Sequence, residues 1–319
     1  MRKNIFGVSF SALLLIAPMG AVAQEYPAGK PIRILTSQPG SGSDVIARIL
    51  LDRLPETLGQ RGVVDNRGIL APELAAKSPP DGYTVLFYST PLWVNPMMQT
   101  KAHWDTLKDF VPVTLAVNAP NILVVHPSLP VKSVQELLAL AKKRPGELNY
   151  GSGSSGSSSH LASELLNSMA GINITRIPYR GVGPAMLGLL SGQVQVLIPS
   201  ASAALPHGKS GRVRMLAVTS AKPSTLLPEL PTLSASGVKD YESDTPLGVF
   251  MPAGTSQAIV NQFYKSLLTT LNQPDTKKLV LGQASEVVAS TPADFAAWLR
   301  LDIARWTKLI REKNLREEN

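Results

Sequence analysis

Residues 32–50 read IRILTSQPGSGSDVIARIL. Ile32 to Leu35 is a short apolar run of strand type, and Gln38-Pro39-Gly40-Ser41-Gly42-Ser43-Asp44 is turn chemistry. After Ser43, Val45, Ile46, Ile49 and Leu50 fall at helical spacing. The stretch is therefore strand, Gly/Ser turn, helix. The same beat returns at Thr84-Val85-Leu86-Phe87, Ile122-Leu123-Val124-Val125, Val194 to Ile198 and Gly248-Val249-Phe250-Met251. Strands separated by helices predict an α/β fold in which mostly parallel sheets are flanked by helices on both faces.

Helix starts are legible further along the chain. Ser133-Val134-Gln135-Glu136 is a capping box that opens a helix burying Leu137, Leu138 and Ala141. Thr291-Pro292-Ala293-Asp294 caps a long final helix with Phe295, Trp298, Leu299, Trp306 and Ile310 on one face, a pattern that reads as core. Asn121 to Pro127 and Leu247 to Pro252 both run strand, proline, turn, Ser, helix. This echo predicts two related lobes: residues 24–122 with 219–319, and residues 123–218. The crossings are expected at Leu123-Val124-Val125 and Leu216-Ala217-Val218, which would serve as hinges.

Met1-Arg2-Lys3-Asn4 followed by an apolar run to Ala17, then Ala21-Val22-Ala23, has the three-part order of a secretory signal cleaved before Gln24. The apolar run is shorter than the roughly 20 residues of a spanning helix. A 319-residue chain less residues 1–23 still exceeds one typical domain. There is no cysteine, which excludes disulfides and thiolate metal sites. The 31 basic and 23 acidic residues give a formal charge of +8. The basic residues are scattered, without the basic and aromatic runs of nucleic-acid binders. The excess suits anionic ligands.

Gly151-Ser152-Gly153-Ser154-Ser155-Gly156 fits G-x-G-x-x-G between a strand at Leu148-Asn149-Tyr150 and a helix holding Leu161 and Leu165. A dinucleotide fingerprint needs the helix to start inside the motif and an acid about 20 residues on; here Ile174-Thr175-Arg176-Ile177 stands instead. What remains is a Gly/Ser loop offering backbone N–H groups, hydroxyls and a positive dipole end to an anion. Gln38 to Asp44 is a second such loop. Two cradles on different lobes can grip one carboxylate; a single one reads more simply as a flexible turn with a cap. Gly208-Lys209-Ser210 lacks the earlier glycine of a phosphate loop, and no G-x-S-x-G elbow exists. His103, His126, His160 and His207 lack metal-ligand spacing. No metal, cofactor or catalytic constellation is expected.

Residue runs through nearly the whole mature chain resemble the Bug family, the substrate-binding proteins of tripartite tricarboxylate transporters. The matching stretches include Lys30-Pro31-Ile32-Arg33-Ile34, Gly40 to Arg48, Asp65-Asn66-Arg67, Pro80-Asp81-Gly82-Tyr83-Thr84 and Lys108 to Thr114. Gly156 to Ala162, Ile177-Pro178-Tyr179-Arg180-Gly181, Ala204-Leu205-Pro206-His207 and Leu216 to Ser220 continue the series. The resemblance implies a two-lobed type II periplasmic binding protein fold with the ligand cleft between the lobes. It also implies a small carboxylate as ligand, the transporter's membrane subunits as partners, and a monomer in the periplasm. Its first-lobe cradle falls on Gly40, Ser41, Gly42, Ser43 and Asp44, with Ser89 nearby. Its second falls on Ser152, Ser154, Ser157, Ser158, Ser159, Tyr179 and Ser200. Asp44 is expected to cap its helix and brace the loop rather than touch an anion.

Three departures stand out. The loop after Arg67 is shorter than the family's glycine-rich one. Pro199-Ser200 replaces a common Asp-Asn, removing an acid that would hold a ligand amino group. Ser37 or Gln38 replaces an aromatic, while Tyr88 and Trp93 lie near the matching loops, either lining a site for a larger or aromatic acid or simply packing. A periplasmic sensor for a signalling receptor shares every feature of a transport receptor. An enzyme on the same fold would need groups the sequence does not supply.

Overall fold

A computed structural model describes residues 26–99, 103–224 and 226–315. The signal and its cleavage site before Gln24 lie outside the described residues. The first half contributes β1 (Ile32–Thr36), α1 (Gly42–Leu58), β2 (Gly62–Asn66), α2 (Ala71–Ala76), β3 (Thr84–Tyr88), α3 (Pro91–Met98), α4 (Thr106–Asp109) and β4 (Phe110–Ala119). The chain then builds β5 (Ile122–Val125), α5 (Val134–Lys143), β6 (Asn149–Ser152), α6 (Ser158–Ala170), β7 (Thr175–Pro178), α7 (Val182–Leu190), β8 (Val196–Leu197), α8 (Ala201–Lys209) and β9 (Arg214–Val218). It closes with β10 (Thr245–Pro252), α9 (Gln257–Asn272), α10 (Pro274–Gly282), β11 (Glu286–Val287) and α11 (Pro292–Glu312).

These strands form two sheets, ordered β11-β4-β10-β3-β1-β2 and β7-β6-β8-β5-β9, one to each lobe. The expected strand alternation holds, but the sheets are mixed rather than mostly parallel. β1 runs parallel to β2 and β3, and β6 to β7 and β8. By contrast β10 is antiparallel to β3 and β4, β11 to β4, and β5 to β8 and β9. The reversed strands β5 and β10 each enter their sheet from the other lobe. They are not joined to a neighbour by a crossover helix, so the rule that makes βαβ strands parallel does not act on them.

The two crossing strands lie side by side, Ile122 opposite Val218 and Leu123 opposite Ala217. Asn121, just before β5, donates its backbone N–H to Thr219 Oγ1 at 2.9 Å and its side-chain amide to the Ser243 carbonyl at 2.6 Å. Both crossings and the start of β10 thus meet at one buried polar knot.

Packing follows the apolar faces read above. Ile46, Ala47, Leu50 and Leu54 of α1 join Ile32, Ile34, Val85 and Phe87 of the sheet, with Val260, Phe263 and Leu267 of α9 completing that core. Ser133 and Thr291 cap α5 and α11 as expected, each accepting a backbone N–H three residues on. Phe295, Leu299, Trp306 and Ile310 are buried; Phe295 lies 5.1 Å from Phe250, ring to ring. Burying each such side chain stabilises the fold by roughly 1.5–3 kcal/mol.

Candidate functional site

The first loop owes its shape to the end of β1 and the start of α1. Ser41 is the N-cap, in extended conformation, its hydroxyl accepting the Asp44 N–H at 3.3 Å. The cap is therefore neither Ser43 nor Asp44. Asp44 instead braces the loop. Its carboxylate accepts the Gly40 N–H at 2.8 Å, Arg48 Nε at 2.9 Å and the Asn66 amide at 2.9 Å. Burial alone would raise its pKa, but those hydrogen bonds and the Arg48 charge hold it below the usual carboxylate range. Asn66 also donates to the Ser37 carbonyl, and Ser43 donates its hydroxyl to Ser37 Oγ. Gly40 sits at φ +74°, a left-handed turn that a side chain would strain.

The second loop joins β6 to α6. Ser157 caps α6, accepting the His160 N–H, and Ser159 accepts the Gly153 N–H at 3.0 Å. His160 Nδ1 accepts the Gly156 N–H at 3.2 Å. Burial, aided by the Arg176 charge, depresses the His160 pKa to about 3, so the ring is neutral at ordinary pH. Arg176 threads the loop from β7, donating to Ser152 Oγ at 2.9 Å, Ser155 Oγ at 3.1 Å and the Gly153 carbonyl at 3.4 Å. A β-carbon added at Gly153 would lie 3.1 Å from Ser157 Oγ and 3.6 Å from Val182 N. The starts of α6 and α7 therefore converge on one bare glycine, bringing two positive helix ends together.

Contacts between the lobes come from both loops. Among the described residues, and apart from its chain neighbours and the backbone of α1 itself, the atom that a β-carbon built at Gly42 meets is Ser202 Oγ, at 3.9 Å, on the first turn of α8. Ser200, the N-cap of α8, bridges to Asn121 and shares a 3.1 Å hydrogen bond with Ser202. On the other side Gly156 abuts the Asn95 side chain of α3. Across this cleft face helix starts, hydroxyls and bare glycines, with the Arg176 guanidinium bonded into the second loop, a surface suited to an anion.

A family model described as the tripartite tricarboxylate transporter family receptor matches residues 46–315. The chain belongs to that family. BugT of Bordetella pertussis is 33% identical over 315 residues, covering 97% of this chain and 96% of BugT. A UPF0065 protein from the tcbD-tcbE intergenic region of Pseudomonas sp. strain P51 is 36% identical over 282 residues, 87% of this chain and 84% of the relative. Among solved structures, R. palustris Rpa4515 with adipate superposes with a TM-score of 0.84 at 33% identity, covering 90% of this chain and 98% of that one. The family resemblance and the two-lobed fold both hold.

The expected site residues divide by position. Gly40, Ser41 and Gly42 form the first turn at α1, and Ser89 precedes α3, its carbonyl accepting the Leu92 N–H. Ser154 is exposed at the turn, Ser157 caps, and Ser158 is the half-buried first residue of α6. Ser43, Ser152 and Ser159 are buried and bonded within their own loops. Tyr179 packs against Gly188 of α7 and donates its hydroxyl to Gln193 at 3.3 Å. Tyr88 and Trp93 turn out to be packing residues: Tyr88 donates to the Gly68 carbonyl, and Trp93 is 1% exposed with its indole N–H on Asp302. Asn66, Arg176 and Ser202 were not singled out by the sequence. A Ser-x-Ser pair at a helix start was the available signal for Ser202; Asn66 and Arg176 become visible only through strand pairing.

Proposed function

We propose that this family receptor is a secreted periplasmic protein that closes over a small organic carboxylate, a di- or tricarboxylate or an aromatic acid. It then presents that ligand to the membrane subunits of a tripartite tricarboxylate-type transporter, without turnover. The carrying observation is the apposition of Gly42 on α1 with Ser202 on α8, which sets two helix starts from opposite lobes against one cleft. In this reading the anion takes hydrogen bonds from Ser41, Ser154, Ser158 and free N–H groups of the helix first turns. Ser43, Asp44, Ser152 and Ser159 hold those donors in place. Each charge-assisted bond contributes roughly 1.5–3 kcal/mol.

Two observations bear on ligand class. Asp44 has both oxygens engaged by Gly40, Arg48 and Asn66, so it offers no carboxylate to a ligand amino group. Pro199-Ser200 places no acid at the start of α8. A carboxylic acid without an ammonium group fits best, and the related R. palustris protein was solved with adipate. The lobes are taken as residues 24–122 with 219–319, and 123–218, with hinges at the paired β5 and β9; the mature chain starts at Gln24 and acts as a monomer.

A thermal-shift screen of dicarboxylates, tricarboxylates, aromatic acids, amino acids and sugars tests the reading. A ligand at 100 times its Kd adds roughly 2.7 kcal/mol. Carboxylic acids are expected to score; a sugar as the sole hit, or conversion of an acid to product, overturns it.

A further inference from the structure

Asp244 sits at the join between the lobes. Before it, the Ser243 N–H donates to the Thr219 carbonyl and the Ser243 carbonyl accepts the Asn121 amide; after it, Thr245 opens β10 and donates its hydroxyl to Asn121 Oδ1 at 2.8 Å. The carboxylate divides between the lobes. Oδ2 accepts the Asn118 amide at 2.8 Å, from β4 of the first sheet, and Oδ1 accepts the Thr219 hydroxyl at 3.3 Å, from just past β9 of the second. Asn118 stands opposite Pro246 of β10, so Asp244 and Asn118 belong to one body, whereas Val218 stands opposite Ile122 of β5.

The link is one hydrogen short. Thr219 Oγ1 lies 3.1 Å from the Asn121 carbonyl oxygen and 3.3 Å from Asp244 Oδ1, two acceptors, and a hydroxyl has a single hydrogen to give. Its oxygen accepts the Asn121 N–H at 2.9 Å and keeps a second lone pair. The Asn118 amide nitrogen only donates, so a proton on Oδ2 would oppose it. A proton on Oδ1 instead turns the carboxyl into a donor to Thr219 Oγ1, and the Thr219 hydrogen then serves the Asn121 carbonyl alone. Each of these partners then has its bond.

The surroundings favour that proton. Burial first and Glu242 second push Asp244 up to about 6, against Asn118, Thr219 and Arg305. Its other titratable neighbours are Tyr241 on its own segment, Asp302 on α11, held by the Trp93 and Trp306 indole N–H groups, and Glu286 on β11, opposite Asn118. Arg305, also on α11, donates to the Glu242 carbonyl. From β4, β9 and β10 the groups that face it are neutral: Asn118, Thr219 and Pro246.

We propose that Asp244 is a proton-operated catch on the hinge: protonated, it donates to Thr219 and holds the lobes in the apposed arrangement; ionised, it leaves them freer to part. The catch rests on the reading that the lobes close about this joint. It makes opening, and with it release of a bound anion, easier near neutral pH than in acid.

The chain has no cysteine, so Leu70→Cys before α2 and Leu187→Cys on α7, both exposed and one on each lobe, can carry spin labels. Pulsed dipolar distance measurements on the ligand-free protein at pH 7.5 and pH 5 read the spacing of the lobes. The population with parted lobes is expected to shrink at least about fivefold on acidification, a coupling of ordinary allosteric size. Its midpoint should fall near pH 6. Asp244→Asn, whose amide donates to Thr219 while its oxygen accepts from Asn118, should show the acid distribution at both pH values, and Thr219→Val the open one at both. A parent distribution that ignores pH, a parent that opens in acid, or an Asp244→Asn protein that still responds to pH overturns the proposal. No ligand enters the measurement, so a chain that binds no carboxylic acid yet closes in acid keeps the catch and loses the proposed ligand class.

Discussion

Gly42 and Ser202 face one another across the cleft at van der Waals range, with Ser202 Oγ 3.9 Å from where a Gly42 β-carbon would sit. A methyl group at Gly42 fits; anything longer meets α8. Gly42→Ala should leave ligand affinity within about threefold, whereas Gly42→Trp should lower it about ten- to a hundredfold, since overfilling a packed contact costs about 1–3 kcal/mol. Calorimetric titration with the best acid of the screen checks this. Equal affinity in Gly42→Trp would mean that the lobes do not close at this point.

Ser158 is the first residue of α6 and half-buried, while Ser157 does the capping. Removing the Ser158 hydroxyl should therefore cost the apo fold little. It should weaken the bound anion by roughly 1.5–3 kcal/mol, about ten- to a hundredfold. Ser43→Ala mixes effects because that hydroxyl donates to Ser37. An unfolding curve beside a titration of Ser158→Ala separates the two readouts; unchanged affinity removes Ser158 from the site.

Asp44→Ala strips the acceptor from the Gly40 N–H, Arg48 and the Asn66 amide together. Arg48 is half exposed and stays solvated, so the loss is chiefly the acceptor of the Gly40 and Asn66 N–H groups, about 1–3 kcal/mol. The expected outcome is a lower midpoint in urea and loss of ligand binding, with Asp44→Asn intermediate because its oxygen still accepts. A variant as stable as the parent would show that the loop does not depend on this brace.

What the sequence made legible was local. The caps at Ser133 and Thr291 and the buried stripe of α11 need only neighbours three or four residues apart, and each appears as expected. Strand direction was not legible, since the apolar pattern of β10 is the same read either way and its sense is set by arrival from the other lobe. Asn66 reaches the first loop only because β2 pairs with β1 in parallel, Thr36 opposite Asn66. Ser41 took the capping role expected of Asp44 because α1 starts at Gly42, two residues ahead of Asp44 and before its apolar stripe begins. The Tyr179 hydroxyl is drawn to Gln193, fourteen residues away and on the far side of α7 in sequence.

His160 carries a pH signature. Its folded pKa is depressed from 6.5 to about 3, first by burial and then by Arg176. The unfolded chain therefore binds the proton more readily. Stability from the neutral ring is full above pH 6.5 and is lost as pH falls toward 3, on the order of 4 kcal/mol over that span. Protonation would also remove the acceptor of the Gly156 N–H. Urea midpoints at pH 7 and pH 5 should differ less in His160→Gln than in the parent, and an unchanged difference would assign the acid sensitivity elsewhere.

Asp244 should act in the opposite direction. Burial is the main cause that raises its pKa from 3.8 to about 6, with Glu242 adding to the rise and Asn118, Thr219 and Arg305 opposing it. The folded state holds this proton more tightly than the unfolded chain does, so protonation favours folding. The contribution is full below pH 3.8 and is lost as pH rises through about 6, on the order of 3 kcal/mol. Because Asp244 accepts from Asn118 on β4 and from Thr219 beside β9, the ionised form is tolerated through its hold on both crossing segments. Asp244→Asn keeps an acceptor for Asn118 and removes the buried charge. It should therefore stabilise the protein by about 1–3 kcal/mol at pH 7.5 and hardly at all at pH 4, read from urea midpoints at the two pH values. A loss of stability at pH 7.5 would show that the ionised carboxylate's hydrogen bonds outweigh its desolvation, and would place the Asp244 pKa below, not above, its ordinary value.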